Sequence, residues 1–306
     1  MRRLATRVLV TGGLGFIGSR LVPRLLGEGY AVRCVDDLSA AVAPGTGAAA
    51  AGRLAARGVE VVSGRARPAH VAGMDAVVHL AALPGVRSQR SPSELRAVNV
   101  ELAGRLARAA ARSGARFVFT SSSSVYGNAS VLPTPEDARF APLNAYARSK
   151  VAAEAAVLAA GGDPVIVRPF SVYGPGQRRD MAFARWIRAL EAGEPLPWHA
   201  PAGTARDFTY VDDVADGIVA ALRRGRAGRA YNLSGRRPVS LSEALAVLAG
   251  GREPVLREQP SSTAEAFVTH GCGRRAAVEL GYAPRVELAE GLRRQLAGAS
   301  PGRLAA

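Results

Sequence analysis

Arg7-Val8-Leu9-Val10-Thr11-Gly12-Gly13-Leu14-Gly15-Phe16-Ile17-Gly18 is a short apolar run that breaks into glycines and continues as an amphipathic stretch to Leu26. The run reads as a buried strand and the stretch after it as a helix, with Gly12, Gly15 and Gly18 in G-x-x-G-x-x-G spacing between them. Glycines so placed permit a tight turn and bring backbone close to a pyrophosphate held at the helix N-terminus. A glycine motif alone is weak evidence, but its strand–turn–helix context strengthens it.

Working outward, Ala31-Val32-Arg33-Cys34-Val35 is a second strand that ends in Asp36-Asp37. An acidic side chain there would bond the adenine ribose hydroxyls and repel a 2′-phosphate, so NAD is expected over NADP. Val59–Val62, Ala76–Leu80, Arg116–Phe119 and Val165–Val167 are further short apolar strands. Two long Ala- and Arg-rich helices, Glu94–Arg112 and Ala145–Ala160, lie between them. Strands alternating with helices predict an α/β fold, a doubly wound parallel sheet of Rossmann type. The NAD-binding domain is placed at 1–168 and a smaller, loop-rich substrate lobe at 169–306. Within that lobe Tyr231–Leu233 reads as a short strand and Asp212–Arg224 as a helix, and the 209–224 segment is expected to pack back on the first domain. The Ala- and Gly-rich segment Ala40–Arg57 gives the weakest signal and is read as mobile.

With 48% hydrophobic residues and a mean hydropathy near zero, the 306-residue chain can bury a large core. No apolar run is long enough for a membrane span. The basic start Met1-Arg2-Arg3-Leu4-Ala5 leads into a strand and a glycine turn rather than a signal-peptide core, so a cytoplasmic location is expected. A net charge of +15 raises nucleic-acid binding. The arginines are scattered, however, without a long basic run or interleaved aromatics, and an anionic small substrate accounts for the charge better. Cys34 and Cys272 imply no disulfide framework. His70, His199 and His270 form no metal-spaced set, and His79, inside a strand, reads as a core residue.

Of the 40 basic residues a single one, Lys150, is lysine. Arginine cannot replace lysine where a compact charge must bond a ribose hydroxyl and lower a neighbouring pKa. Tyr146 stands one helical turn before it, on the same face. A phenol is a poor base at neutral pH unless nearby positive charge favours the phenolate, which a lysine ammonium and an oxidised nicotinamide provide.

Thr11–Gly18, His79-Leu80-Ala81-Ala82, Ser121-Ser122-Ser123-Ser124-Val125-Tyr126-Gly127, Tyr146-Ala147-Arg148-Ser149-Lys150, Arg168–Gln177 and Arg206–Asp213 occur in that order. Together, over about Arg7–Leu245, they resemble the extended short-chain dehydrogenase/reductases, specifically the NAD-dependent epimerase/dehydratase family. Gly85-Val86-Arg87 and Asp180-Met181-Ala182 lean towards UDP-glucuronate 4-epimerases. The resemblance implies Tyr146 as general base and acid, Lys150 on the nicotinamide ribose, and Ser122 sharing the hydrogen bond of the substrate hydroxyl, with Ser124 as its nearest rival. It implies cofactor contacts from Gly12, Gly15, Phe16, Ile17, Gly18, Asp36, Leu80, Ala81, Ala82, Asn99 and Pro169. Arg87, Ser122, Ser124, Ser171, Arg179 and Arg206 are implied on the sugar-nucleotide side. Arg206 would hold the diphosphate, with a surface ion pair to Asp207 as the plain alternative. Asn99 sits behind the cofactor in a position suited to supporting backbone.

The resemblance implies a nucleotide-sugar 4-epimerase that oxidises C4 transiently with bound NAD. A dehydratase or decarboxylase sharing the first hydride step is the enzymatic rival, and a silent NAD-binding protein the non-enzymatic one. A homodimer through the two long helices is implied as well. Two departures stand out: Ser63-Gly64-Arg65 has arginine where the family usually has an aspartate at adenine, and Gln259-Pro260-Ser261-Ser262 lacks the usual Gly-Asp.

Overall fold

The computed structural model describes residues 6–39, 47–83, 90–260 and 264–299. Seven parallel strands form the central sheet in the order β3-β2-β1-β4-β5-β6-β11. They are β1 (Arg7–Thr11), β2 (Ala31–Asp36), β3 (Glu60–Ser63), β4 (Ala76–His79), β5 (Arg116–Thr120), β6 (Asp163–Pro169) and β11 (Ala230–Leu233); the short strands β7 (Val172–Tyr173), β8 (Leu196–Trp198), β9 (Ala205–Asp207) and β10 (Thr209–Tyr210) belong to two-stranded sheets outside it. The chain order reverses beside β1, and the crevice above that switch point is where an open α/β sheet binds ligand.

The central strands are buried on both faces, as parallel sheets require, while the edge strand β3 is only partly covered. Val8 and Val10 point to a layer built by α1 (Gly18–Gly27) and α7 (Val211–Arg224), through Leu21, Leu25, Val214 and Ile218. Leu9, Phe117, Phe119 and Ile166 point the other way, to α4 (Leu102–Ser113) and α5 (Ala145–Leu158), where Leu106, Ala110, Ala153 and Val157 close the core. α7 packs against α1, and β11 pairs with β6 at the sheet edge.

The long helix expected over Glu94–Arg112 is composite: α3 (Pro92–Leu95), a π-helical stretch over Arg96–Glu101, then α4. Ser91 starts it with a capping box, its hydroxyl accepting from Glu94 N while the Glu94 carboxylate accepts from Ser91 N. Within Ala40–Arg57, read as mobile, Gly47–Ala55 is instead the helix α2, and its Leu54 packs into the core. Residues 40–46 lie outside the described residues. A third apolar cluster, with Phe183, Trp186, Ile187, Leu196, Tyr210 and Leu245, holds together the elements that follow β6. Among the described residues, no helix is long and apolar enough to cross a membrane.

Candidate active site

One cavity of about 1030 Å³ runs along the carboxyl ends of the strands, from Asp36 to Arg206. At its floor the glycine turn leaves β1. Gly12 has φ +74°, and a Cβ there would stand 2.8 Å from Ala81 N, so only glycine lets the turn lie against the end of β4. A Cβ on Gly18 would stand 2.6 Å from Gly13 Cα, so this glycine lets α1 start directly against the turn. No side chain caps the N-terminus of α1 and its first turn has no acidic residue. Its leading N–H groups and positive dipole end face the cavity through Gly15, Phe16, Ile17 and Gly18, an arrangement that fits a pyrophosphate.

Asp36 is buried at the end of β2, accepting from Leu14 N (2.9 Å) and Leu38 N (2.8 Å). These bonds aim the carboxylate and tie the glycine turn to the strand end. Each oxygen keeps a lone pair for a ribose hydroxyl. Arg33, three residues earlier on the strand, is committed to Glu60 (2.8 Å) and the His70 carbonyl (3.0 Å). Leu80, Ala81 and Ala82 line the cavity after β4, and Pro169 lines it at the end of β6.

Asn99 takes the backbone-supporting position the sequence suggested rather than a cofactor contact, and Arg179 sits elsewhere than expected. Asn99 is buried off the cavity: its Oδ1 accepts from Leu83 N (2.8 Å), and its Nδ2 donates to the Leu83 carbonyl and Ser149 Oγ. It holds the cavity wall and does not line it. Arg179 is exposed and off the cavity. Its neighbour Arg178 lines the cavity, forked onto Asp180 at 3.0 and 2.8 Å. Arg87 lies outside the described residues.

Tyr146 and Lys150, on α5, both reach the cavity. Asn144 caps that helix, its side chain accepting from Ala147 N. Lys150 Nζ donates to the Thr120 carbonyl (2.8 Å) and lies 5.9 Å from the centroid of the Tyr146 ring. Burial pulls its pKa down to about 8, opposed by Glu154. Burial raises the Tyr146 phenol, opposed by a hydrogen bond from Ser122 and by the Arg178 charge. In the protein alone the ammonium therefore loses its proton before the phenol does, and phenolate with ammonium needs further positive charge beside the ring.

Ser122 Oγ also accepts from Ser124 N at 3.2 Å. Ser124 Oγ and Thr120 Oγ1 line the cavity as buried atoms with no partner among the described residues. Ser121 instead points away and donates to Glu154. Glu154 is locked to Arg168 at 2.9 and 2.7 Å, and Arg168 also donates to the Tyr126 hydroxyl. The tyrosine of the Val-Tyr-Gly segment is thus a framework residue, part of a buried network that fixes the serines.

His79 is buried between Phe117 and Phe119, with Nδ1 2.6 Å from Thr11 Oγ1. Burial and the Lys150 charge push its pKa down to about 3, so the imidazole is neutral. Arg206 lines the far end, bonded to the Phe267 carbonyl (3.1 Å) and Glu265 (3.5 Å). The ion pair with Asp207 raised by the sequence is absent. Asp207 is buried, holding Gly235 N and Gly271 N, and burial raises its pKa to about 6. Ser171, Phe183, Trp186, Trp198 and Phe208 complete this end. The aromatic residues carry no spacing that marks them as a wall before the chain folds. Among the described residues, no group of three or more His, Cys, Asp or Glu could hold a metal.

A family described as the NAD dependent epimerase/dehydratase family matches residues 8–234. The chain is 35% identical to a dTDP-glucose 4,6-dehydratase of Streptomyces griseus, over 94% of this chain and 92% of that protein. It is 34% identical to a UDP-glucose 4-epimerase of Mycolicibacterium smegmatis, over 94% and 96% of the two chains. Among solved structures, a UDP-glucuronic acid 4-epimerase from Bacillus cereus, in complex with UDP-glucuronic acid and NAD, superposes with a TM-score of 0.89. It is 30% identical, with 97% of this chain and 99% of that one covered.

Proposed function

The chain belongs to the NAD-dependent epimerase/dehydratase family, and from that premise we propose that it is a UDP-sugar 4-epimerase, with UDP-glucuronate as its first candidate substrate. The observation that carries this reading is where the carboxylates stand. Those lining the cavity, among the described residues, are Asp36, Asp37, Glu94, Asp180 and Glu265. The first three belong to the cofactor end, Asp180 is forked by Arg178, and Glu265 pairs with Arg206. The charges beside Tyr146 are the cations Lys150 and Arg178, its hydrogen-bond partner is Ser122, and the next two positions of the chain hold the hydroxyls of Ser123 and Ser124. Elimination of water or loss of CO₂ needs an acid–base group beyond the tyrosine, and a serine hydroxyl does not titrate near neutral pH. The chemistry stops at the oxidation level of C4. The Streptomyces griseus relative keeps dehydration as the second reading.

In this reading Tyr146 takes the proton of the C4 hydroxyl, and Ser122 holds the same oxygen. Bound NAD⁺ supplies the reversible hydride acceptor at C4. Lys150 bonds the nicotinamide ribose, and its charge favours the phenolate. The 4-keto sugar turns and is reduced on its other face, with Tyr146 returning the proton. Arg178, with Arg206 at the diphosphate, is positioned for a C6 carboxylate; holding that carboxylate in the ring plane keeps a β-keto acid from losing CO₂.

Residues 1–168 form the NAD-binding domain, which also brings Tyr146 and Ser122 to the sugar, and 169–306 form the substrate lobe, with α7 and β11 returning to the cofactor layer. The protein works in the cytoplasm as a homodimer. Its interface is the outer side of α4 and α5, the two long helices.

Incubation with UDP-glucuronate and with UDP-glucose in D₂O tests the reaction. The expected product has unchanged mass, inverted C4 and no carbon-bound deuterium, because the hydride never meets solvent. Loss of water or CO₂, or deuterium at C5 or C6, would replace epimerisation by the dehydratase or decarboxylase reading.

A further inference from the structure

The adenosine end of the cavity has a polarity that the family reaction does not explain. With the pyrophosphate at Gly15–Gly18 and the ribose at Asp36, the purine falls between two walls. One is the turn after β3, Gly64-Arg65-Ala66; the other is the face of α4 carrying Leu102 and Arg105. Of the side-chain acceptors nearby, Asp36 accepts from Leu14 N and Leu38 N and keeps its remaining lone pairs for the ribose, Asp37 accepts from Ser39 N and Oγ through one oxygen, and Glu94 accepts from Ser91 and Arg90. Among the cavity-lining arginines at this end, Arg90 pairs with Glu94, whereas Arg65 and Arg105 make no hydrogen bond or ion pair among the described residues.

A guanidinium has five N–H donors and no acceptor. The amino group at position 6 of adenine is also a donor, so Arg65 and that group cannot bond each other. A 6-oxopurine presents an acceptor at the same place. Arg33, the other arginine near this end, is tied to Glu60 and the His70 carbonyl and does not line the cavity.

Resting on the reading of this cavity as a dinucleotide site, we propose that Arg65 sets the purine preference of the cofactor. The site does not select the adenine amino group, and it takes a dinucleotide with a 6-oxopurine base at least as readily as NAD⁺. The consequence is an adenosine end held by ribose and pyrophosphate contacts rather than by base recognition.

Cofactor-stripped protein titrated calorimetrically with NAD⁺ and with nicotinamide hypoxanthine dinucleotide tests this, in wild type and Arg65→Ala. Arg65 is on an exposed turn, so the variant keeps the fold, and its melting temperature checks it. Hypoxanthine also turns ring N1 from acceptor to donor; alanine bonds neither base, so the variant reports the preference of the rest of the site. The expected result is wild-type affinities for the two dinucleotides within about threefold, or in favour of hypoxanthine. Arg65→Ala should shift the ratio about tenfold towards NAD⁺, the discrimination that one good base-edge contact provides. A wild-type preference for NAD⁺ above about tenfold, or a ratio unmoved by Arg65→Ala, would overturn the proposal. Binding of neither dinucleotide to wild type would instead overturn the cofactor reading, and this proposal with it.

Discussion

Replacing Lys150 by methionine should stabilise the protein while abolishing its activity. The lysine is buried, its Nζ bonded only to the Thr120 carbonyl, and Glu154, the charge that favours it, is locked to Arg168. Burial lowers its pKa from 10.5 to about 8. At about 1.4 kcal/mol per pKa unit, keeping the ammonium charged inside the fold costs about 3 kcal/mol below pH 8. The folded-state value of this base is depressed, so wild type regains that stability as pH rises from about 8 to 10.5. Methionine matches the length and apolar stem, and losing the bond to the Thr120 carbonyl costs about 1–2 kcal/mol. The net gain at pH 7 is therefore about 1–2 kcal/mol, or a few degrees in melting temperature for a chain of this size. Cofactor-free protein is melted at pH 7 and pH 10. The expected result is a variant more stable at pH 7, with a gap that closes or reverses by pH 10, because every other titration is common to both proteins. A variant less stable at pH 7, or a gap independent of pH, would refute the argument. Labelling with ¹³Cε-lysine gives an independent check, since the chain's single lysine yields one resonance, expected to titrate near pH 8.

Lys150→Arg should fold, with charge and helix propensity retained, yet lose most activity; turnover within about twofold of wild type would remove the lysine from the mechanism. Tyr146→Phe should bind NAD⁺ normally and be nearly inactive, which equilibrium binding beside a turnover assay decides. NADP should bind the stripped protein at least about tenfold more weakly than NAD, because the buried Asp36 carboxylate faces the position of a 2′-phosphate; equal affinities in the same titration contradict this. Gly18→Ala improves helix propensity by about 1 kcal/mol. Its Cβ nevertheless meets the backbone of Gly13 at 2.6 Å, so the net effect should be destabilisation by about 1–3 kcal/mol and loss of dinucleotide affinity. A more stable variant that binds normally would show that the turn has room.

Much of this protein is determined by residues acting within a few positions of one another. The strands are legible because a parallel sheet buried on both faces needs uninterrupted apolar runs, and β1 spans Arg7–Thr11, the residues the sequence marks. The glycine turn, Asp36 and the Tyr146–Lys150 pair are legible for the same reason: a turn needing positive φ admits glycine, a strand end places its last side chain, and one helical turn aligns two residues. Partners far apart in sequence were decided only by the tertiary structure. Arg206 meets Glu265 rather than its neighbour Asp207, Lys150 finds the carbonyl of Thr120, and Glu154 is taken by Arg168. The loop after Tyr173 has no period to say which of two adjacent arginines faces inward, and packing turns Arg178 into the cavity and Arg179 to solvent. Asn99 was legible as a support for backbone, but that its partner is Leu83, reached from a π-helical stretch, was decided only by the fold. Local periodicity specifies the scaffold and the atoms that face its crevice; the charges that hold those atoms in place come from chain segments brought together only when the core closes.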